Sequence, residues 1–376
     1  MPNSSAPATL SQARPIFIAE IEQFGGAERS LLALSGWLHR RNLPHYLLTY
    51  ADHCNVAGHA THPLPVLELR PGASVRAKIA ALKQHFQQRG PSPWQPLLSG
   101  YQPALHATLA GLRGFHDLMH DTPALFGDRN SRSLKDRLRI AVSNRIAAWG
   151  LRSGGTTIVT SEYLRSECRK DFGIHAEIAR MGGLGGTSPL KLRPVTSELR
   201  MLSVCRIEAN KRIDWLLRAL ATLEAEPTPL SATIDWRLDL AGKGTLIPQL
   251  EQLAASLGIT NRVHFHGFVP DEAVEAMYDQ AHLFLMPAIQ GYGIPAIESL
   301  GRGIPVLLHR ESGVSDILLD TPWATVLTGG EPNLLPALRQ AIAKLLENRH
   351  HAVSPPHLPT EDEWAERVAT LCNWVP

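Results

Sequence analysis

Cysteine is scarce in this chain: Cys54, Cys168, Cys205 and Cys372 are scattered over 376 residues and no two form a CxxC pair. That argues against a disulfide framework or a structural zinc site and leaves reduced thiols as the simplest reading. Excess charge is lacking too, with a formal net charge of +2, so nothing points to a charged tail or a nucleic-acid partner. No run approaches the roughly 18 consecutive apolar residues of a membrane-spanning helix. The opening MPNSSAPATLSQARP has no apolar core of signal-peptide type, which sets the expectation of a cytoplasmic chain. A strand-to-helix GxGxxG of dehydrogenase type is missing, as is any fixed-period repeat.

What is present is an ordinary apolar fraction, 44%, in a length that suits two domains. Residues 1–13 read as a disordered lead-in. PIFIAEI reads as a strand, Gly25 and Gly26 as a turn, AERSLLALSGWLHRR as a helix with Leu31, Leu34 and Leu38 at helical spacing, and HYLLTY as the next strand. That order begins a parallel βαβ sheet. Residues 86–103 are broken by prolines and cannot be one long element. Residues 133–149 predict a helix with Leu134, Leu138, Ala141, Val142, Ile146 and Trp149 on one face, opposite Lys135, Arg137, Arg139 and Arg145. The stripe is expected to face the core; peripheral contact with an anionic membrane is the other use of such a helix. TTIVTS predicts a strand and Ser161 a helix cap.

RMGGLGGTSPLKLRP reads as a linker. After it, LRMLSVCR, WRLDLAG, RVHFHG, HLFLMP and PVLLH alternate with helical stretches, which predicts a second doubly wound domain. The expected divisions are 1–193, 194–355 and a terminal helical segment, 356–376, packing back on the first domain. Open α/β sheets bind ligands beyond the carboxyl ends of their strands, and helix N-termini there present N–H groups to phosphate. A phosphate-bearing ligand in a cleft between the halves is therefore the default expectation.

The most informative run is HLFLMPAIQGYGIPAIESLGRGIPVLLHRESG. An apolar strand ends at Met286 and Pro287. Gly291 and Gly293 let backbone approach a ligand, and Pro295 opens a helix. Glu298 stands about one turn inside it. Phosphate on the N–H groups with a diol on the carboxylate describes a nucleotide. QGYGIPAIESLGRGIPV resembles the E-x7-E segment of the family-4 retaining glycosyltransferases, which have the GT-B fold of two Rossmann-like domains facing a central cleft. SVCRIEANKRIDWLLRAL, LAGKGTLIPQLEQLAASLGITNRVHFHGFVPDEAVEAMYDQAHLFLMP and, more loosely, FGGAERSLLALSGWL, GFHD and VTSEYL extend the likeness.

The resemblance implies roles. Arg206 and Lys211 would hold the donor diphosphate, Glu298 the ribose hydroxyls, Gly267 and Phe268 the base, and Gly293 and Ile294 a phosphate through their N–H groups. Gly25 and Gly26 would approach the donor and His116 would lie near the transferred sugar. The implied reaction transfers a sugar from a nucleoside diphosphate donor to a glycan or lipid-linked acceptor with retention, with no metal or other cofactor. Gln290 departs from the pattern, because a carboxylate usually contacts the sugar there. A glutamine still hydrogen-bonds but offers no negative charge, so the alternative is a nucleotide-sugar-binding protein of weak or regulatory activity. A sugar-nucleotide epimerase fits the Arg/Lys pair less well. HDLMH mimics HExxH but lacks its glutamate, and GKGT lacks the rest of a P-loop.

Overall fold

The computed structural model describes residues 10–22, 24–120, 133–183, 193–226, 234–319 and 321–375. The chain forms two compact units: residues 1–182 with 359–376, and residues 183–358. The boundary expected at 193 falls at 182, and the returning segment starts at 359 rather than 356. Most of the expected lead-in and of the expected linker lies outside the described residues.

The first unit is a seven-stranded parallel sheet. Its strands are β1 (Arg14–Ile21), β2 (His45–Asp52), β3 (Val66–Glu68), β4 (Leu97–Ser99), β5 (His116–Met119), β6 (Thr157–Val159) and β7 (Glu177–Ile178). Their order is β3-β2-β1-β4-β5-β6-β7, so the winding reverses between β1 and β4. The helices are α1 (Gly26–Arg40), α2 (Val75–Arg89), α3 (Tyr101–Leu109), α4 (Leu134–Arg152) and α5 (Glu162–Phe172). α1 buries Leu31, Leu34 and Leu38, the expected stripe, together with Trp37. Ser161 caps α5, its hydroxyl accepting from the Leu164 N–H at 3.2 Å. The proline-broken stretch resolves into the end of α2, the three-residue β4 and the start of α3.

The terminal helix, Glu361–Leu371, belongs to this unit and packs on α1. Its anchor is Arg14, whose guanidinium donates to the Trp374 carbonyl at 2.8 Å and lies 3.9 Å from the centre of the Trp94 ring. Trp374 is fully buried and donates to the Gln95 carbonyl at 3.0 Å.

α4 corrects the sequence expectation. Ala147, Ala148 and Leu151 face the core, and Gly150 seats so closely on α3 that an added Cβ would lie 3.1 Å from the Leu105 Cα. The large apolar stripe of Leu134, Leu138, Val142, Ile146 and Trp149 is exposed. Small residues pack because the helix axis lies close to α3, and the bulky ones are left on the far side.

The second unit is a six-stranded parallel sheet of β8 (Glu198–Val204), β9 (Asp235–Ala241), β10 (Val263–Gly267), β11 (Leu283–Met286), β12 (Val306–His309) and β13 (Ala324–Leu327), ordered β10-β9-β8-β11-β12-β13. Helices α6 (Ile213–Glu224), α7 (Ile247–Ser256), α8 (Asp271–Gln280), α9 (Ile294–Gly301) and α10 (Leu334–Leu346) connect or flank the strands. α6 buries Ile213, Leu216, Leu217, Leu220 and Leu223, a helical stripe laid on β8 and β9. Its winding reverses between β8 and β11, which opens a crevice at their carboxyl ends. Among the described residues, no helix is long and apolar enough to cross a membrane.

Buried histidines tie the first unit to pH. Burial pushes His45 down to about 4, with His62, His39 and Arg14 adding to the effect and a hydrogen bond to the Leu43 carbonyl opposing it. Burial, then Arg89, pushes His85 down to about 4 as well. Both stay neutral in the fold, whereas the unfolded chain binds their protons below about 6.5. Their stabilisation is complete above that pH and is lost as pH falls toward 4, at roughly 3 kcal/mol each. Urea midpoints measured from pH 7 down to 4 should fall steadily; a flat profile contradicts this.

Candidate functional site

The site is assembled from the strand-end loops of the second unit. The loop after β8 is held by its neighbour after β9. Cys205 N–H donates to the Ala241 carbonyl at 3.0 Å and Ile207 N–H to the Lys243 carbonyl at 2.8 Å. Gly242 and Gly244 make this approach possible: a Cβ on them would lie 1.8 Å from the Cys205 carbonyl oxygen and 2.0 Å from that of Ile207. The glycines of GKGT therefore serve backbone packing, which gives them a role without a P-loop. Gly242 N–H donates in turn to the Gly267 carbonyl at 2.8 Å, at the end of β10. Beside it Phe268 is 68% exposed, with the Lys243 ammonium 4.7 Å from its ring centre.

On the other side, the β8 loop is stitched across the switch point to the loop after β11. Asn210 and Ile289 exchange two hydrogen bonds, Ile289 N–H to the Asn210 carbonyl at 2.8 Å and the Asn210 amide to the Ile289 carbonyl at 3.0 Å. Lys211 Nζ donates to Gln290 Oε1 at 2.6 Å. Arg212 adopts a left-handed backbone, φ 55°, at the start of α6. Its guanidinium pairs with Glu311 at 2.8 Å and lies 4.3 Å from the Trp215 ring centre. Arg206 is exposed, and its guanidinium makes no hydrogen bond or ion pair among the described residues.

Gln290 is fully engaged. Besides accepting from Lys211, its Nε2 donates to Ser312 Oγ at 3.0 Å and meets Met286 Sδ at 2.8 Å. Its N–H donates to the Glu311 carbonyl at 3.1 Å. Ser312 Oγ donates its own hydrogen bond to the Tyr292 carbonyl at 3.0 Å. Gly293 closes over this cluster at φ +120°, and a Cβ there would lie 2.6 Å from Gln290 Nε2 and 2.7 Å from Met286 Cε. It caps α9, so the Gly293 and Ile294 N–H groups head that helix, where anions are favoured.

Glu298 lies half-buried in α9 and accepts from the Tyr278 hydroxyl at 3.0 Å. Burial, and then the charge of Glu298, holds that phenol well above its usual range, so it remains a donor. Arg302 covers the Tyr278 ring at 4.8 Å and pairs with Glu275. Tyr278 went unread in the sequence; the one signal for it was an aromatic residue in a polar helix.

The second unit thus brings together Arg206, Lys211, Gln290, Gly293 and Ile294, with Gly267 and Phe268 in adjacent loops and Glu298 within the helix that follows. Gly25, Gly26 and His116 belong to the first unit. Gly25 N–H is taken by Glu28 Oε2 at 3.0 Å in a capping box at the head of α1, and Gly26 begins that helix. His116 is a correction. It opens β5 opposite Leu97, its N–H donating to the Pro96 carbonyl at 2.8 Å, and its buried ring meets the Cys372 backbone. That is the amino edge of the sheet, away from the strand ends where ligands bind. His120, just past Met119, stands at the carboxyl edge instead. His116 opens the strand and His120 follows its last residue, roughly 13 Å on at about 3.3 Å per residue, so HDLMH does not reproduce the helical spacing of HExxH. Among the described residues no cluster of three His, Cys, Asp or Glu is placed to hold a metal.

Two doubly wound parallel sheets in one chain are the architecture of the GT-B class. The second unit is more specific: residues 189–357 match the family model Glycosyl transferases group 1, and the chain carries a domain of that family. The chain is 28% identical over 189 residues to a GDP-mannose-dependent α-(1-6)-phosphatidylinositol monomannoside mannosyltransferase of Mycolicibacterium smegmatis, covering 46% of this chain and 47% of that protein. It is 27% identical over 187 residues to an α-D-kanosaminyltransferase of Streptomyces kanamyceticus, covering 50% and 44%. The matches therefore span under half of either relative's length. The fold matches Anabaena HepE in complex with UDP at a TM-score of 0.70, with 16% identity and coverage of 96% and 100%. It matches WaaG, a glycosyltransferase involved in lipopolysaccharide biosynthesis, at 0.68, with 16% identity and coverage of 95% and 99%.

The glycines give a direct test of the cradle. Gly242→Ala should cost about 2–3 kcal/mol in urea unfolding, because the Cys205 backbone has to move. Gly25, at an extended φ of −140°, should tolerate alanine within about 0.5 kcal/mol. Equal costs at the two positions would contradict the assigned roles.

Proposed function

We propose that the protein transfers a sugar from a nucleoside diphosphate-sugar to an acceptor hydroxyl, with retention of configuration and without a metal. The observation that carries this is the stitched pair of loops at the β8/β11 switch point, which fixes Lys211 against Gln290 beside the glycine-headed helix α9. Lys211 and the exposed Arg206 supply two positive charges for a leaving diphosphate, the task of a guanidinium fork and an ammonium. As the glycosidic bond breaks, negative charge grows on the β-phosphate, and preset cations stabilise that state more than the ground state. Glu298, oriented by Tyr278, accepts hydrogen bonds from the ribose hydroxyls. Phe268 offers a ring face to the base. The lipid acceptor named for the mycobacterial relative supports a glycolipid acceptor class.

Gln290 sustains the second reading, a nucleotide-sugar binder of low or regulatory activity. Its amide donates to Ser312 while accepting from Lys211, a combination that a carboxylate does not reproduce. The position is thus built for a neutral group, and no negative charge is provided there for an oxocarbenium-like transition state.

A panel of UDP-, GDP- and ADP-sugars, tested for transfer and hydrolysis, separates the two. Turnover with one donor, reduced about a hundredfold or more in Arg206→Ala and in Lys211→Ala, is the expected result. Unchanged turnover in both variants would sink the mechanism. Binding without turnover, unrescued by Gln290→Glu, would favour the second reading.

A further inference from the structure

Arg212 has an unusual backbone for an arginine. It sits at φ 55° and ψ 37°, in the left-handed region, immediately before α6. Six of the described non-glycine residues have positive φ; four are asparagine, which tolerates that region, and the other two are Arg70 and Arg212. The two arginines differ in what their side chains do. Arg70 is 77% exposed and pairs with Glu68, two residues away. The Arg212 side chain is 13% exposed. It pairs with Glu311 after β12 at 2.8 Å, donates to the Pro287 carbonyl after β11 at 3.4 Å, and covers the Trp215 ring of α6. Backbone strain of this kind persists where the surroundings over-determine it, and it gathers at functional sites.

Its neighbours show what the strain secures. Ala209–Lys211 form a single 3-10 turn, and Arg212 closes it, its N–H donating to the Ala209 carbonyl at 3.2 Å. The Arg212 carbonyl accepts from the Trp215 N–H at 3.1 Å in the first turn of α6. The left-handed residue is thus the corner between turn and helix, and it sets the direction in which Lys211 leaves the chain. Lys211 ends on Gln290, in the same loop that Arg212 holds through Pro287. Glu311 adds the third loop: its carbonyl accepts from the Gln290 N–H at 3.1 Å while its carboxylate takes Arg212. His309 brings no charge to this pair. Its Nδ1 accepts from the Glu311 N–H at 3.0 Å and its Nε2 donates to the Gly329 carbonyl at 2.8 Å, the pattern of a neutral ring. We propose that Arg212 is a positioning residue for the diphosphate. It touches no ligand; through Pro287 and Glu311 it locks the loops after β8, β11 and β12 in the register that sets Lys211 at the leaving group. This role rests on the sugar-transfer reading.

Steady-state kinetics of the full chain with UDP-, GDP- and ADP-sugars test it. Arg212→Gly keeps the corner, because glycine adopts a left-handed φ freely, and removes the clamp. Its thermal unfolding should stay close to the parent's. Its kcat should fall at least about tenfold with KM within about twofold, because Lys211 acts mainly on charge that develops in the transition state. Arg212→Lys, which keeps the charge but not the guanidinium fork, should lose less. Glu311→Gln leaves the strained backbone untouched and should lower kcat severalfold, and combined with Arg212→Gly it should add nothing. In the Lys211→Ala background, adding Arg212→Gly should change kcat by less than about twofold, whereas a general loss of structure would lower it further. Parent-like kcat in both Arg212→Gly and Glu311→Gln would overturn the proposal, as would a full further loss in the Lys211→Ala background. A parent that turns over none of the three donor classes would instead overturn the sugar-transfer reading, and this role with it.

Discussion

The close approach of two backbones in the second unit is the constraint on which the rest depends. Gly242 and Gly244 let the loop after β9 lie directly on the loop after β8. That contact fixes the course of Cys205 to Ile207, and so the point from which Arg206 projects. The same loop then reaches across the switch point, through Asn210 and Lys211, to Ile289 and Gln290. Gly293 closes over Gln290 and aims the head of α9. Each step rests on the one before it. Backbone packing therefore sets where Arg206 leaves the chain and where α9 begins, while Lys211 is held through its side chain by Gln290.

Gln290 takes its meaning from this chain of contacts. A carboxylate in its place would pair with Lys211 and neutralise it. The amide holds Lys211 by a hydrogen bond to its neutral oxygen. It also joins Ser312 to the cluster, linking the loops after β11 and β12.

Much of this was legible in the sequence, for stated reasons. Arg206, Lys211, Gly293 and Glu298 sit in a dense motif whose spacing follows from a strand, a glycine loop and a helix start. β3, β4, β7 and β13, of two to four residues each, were not read. His116 came from the likeness of GFHD to the family, and that likeness does not reveal that β5 begins at this residue. The stripe on α4 was read correctly as one face, but its direction was not. Periodicity says which residues share a side, and only the small residues Ala147, Ala148 and Gly150 decide which side packs. Tyr278 escaped because its partnership with Glu298 joins two separate helices.

Hydrogen–deuterium exchange on the full chain, with and without saturating UDP, GDP and ADP, tests the central claim most directly. If the switch-point cradle holds a nucleoside diphosphate, one of the three should slow exchange at the amides of Ile207–Lys211 and of Tyr292–Ala296 together. Unaltered exchange in both segments with all three nucleotides, or protection confined to other parts of the chain, would contradict it.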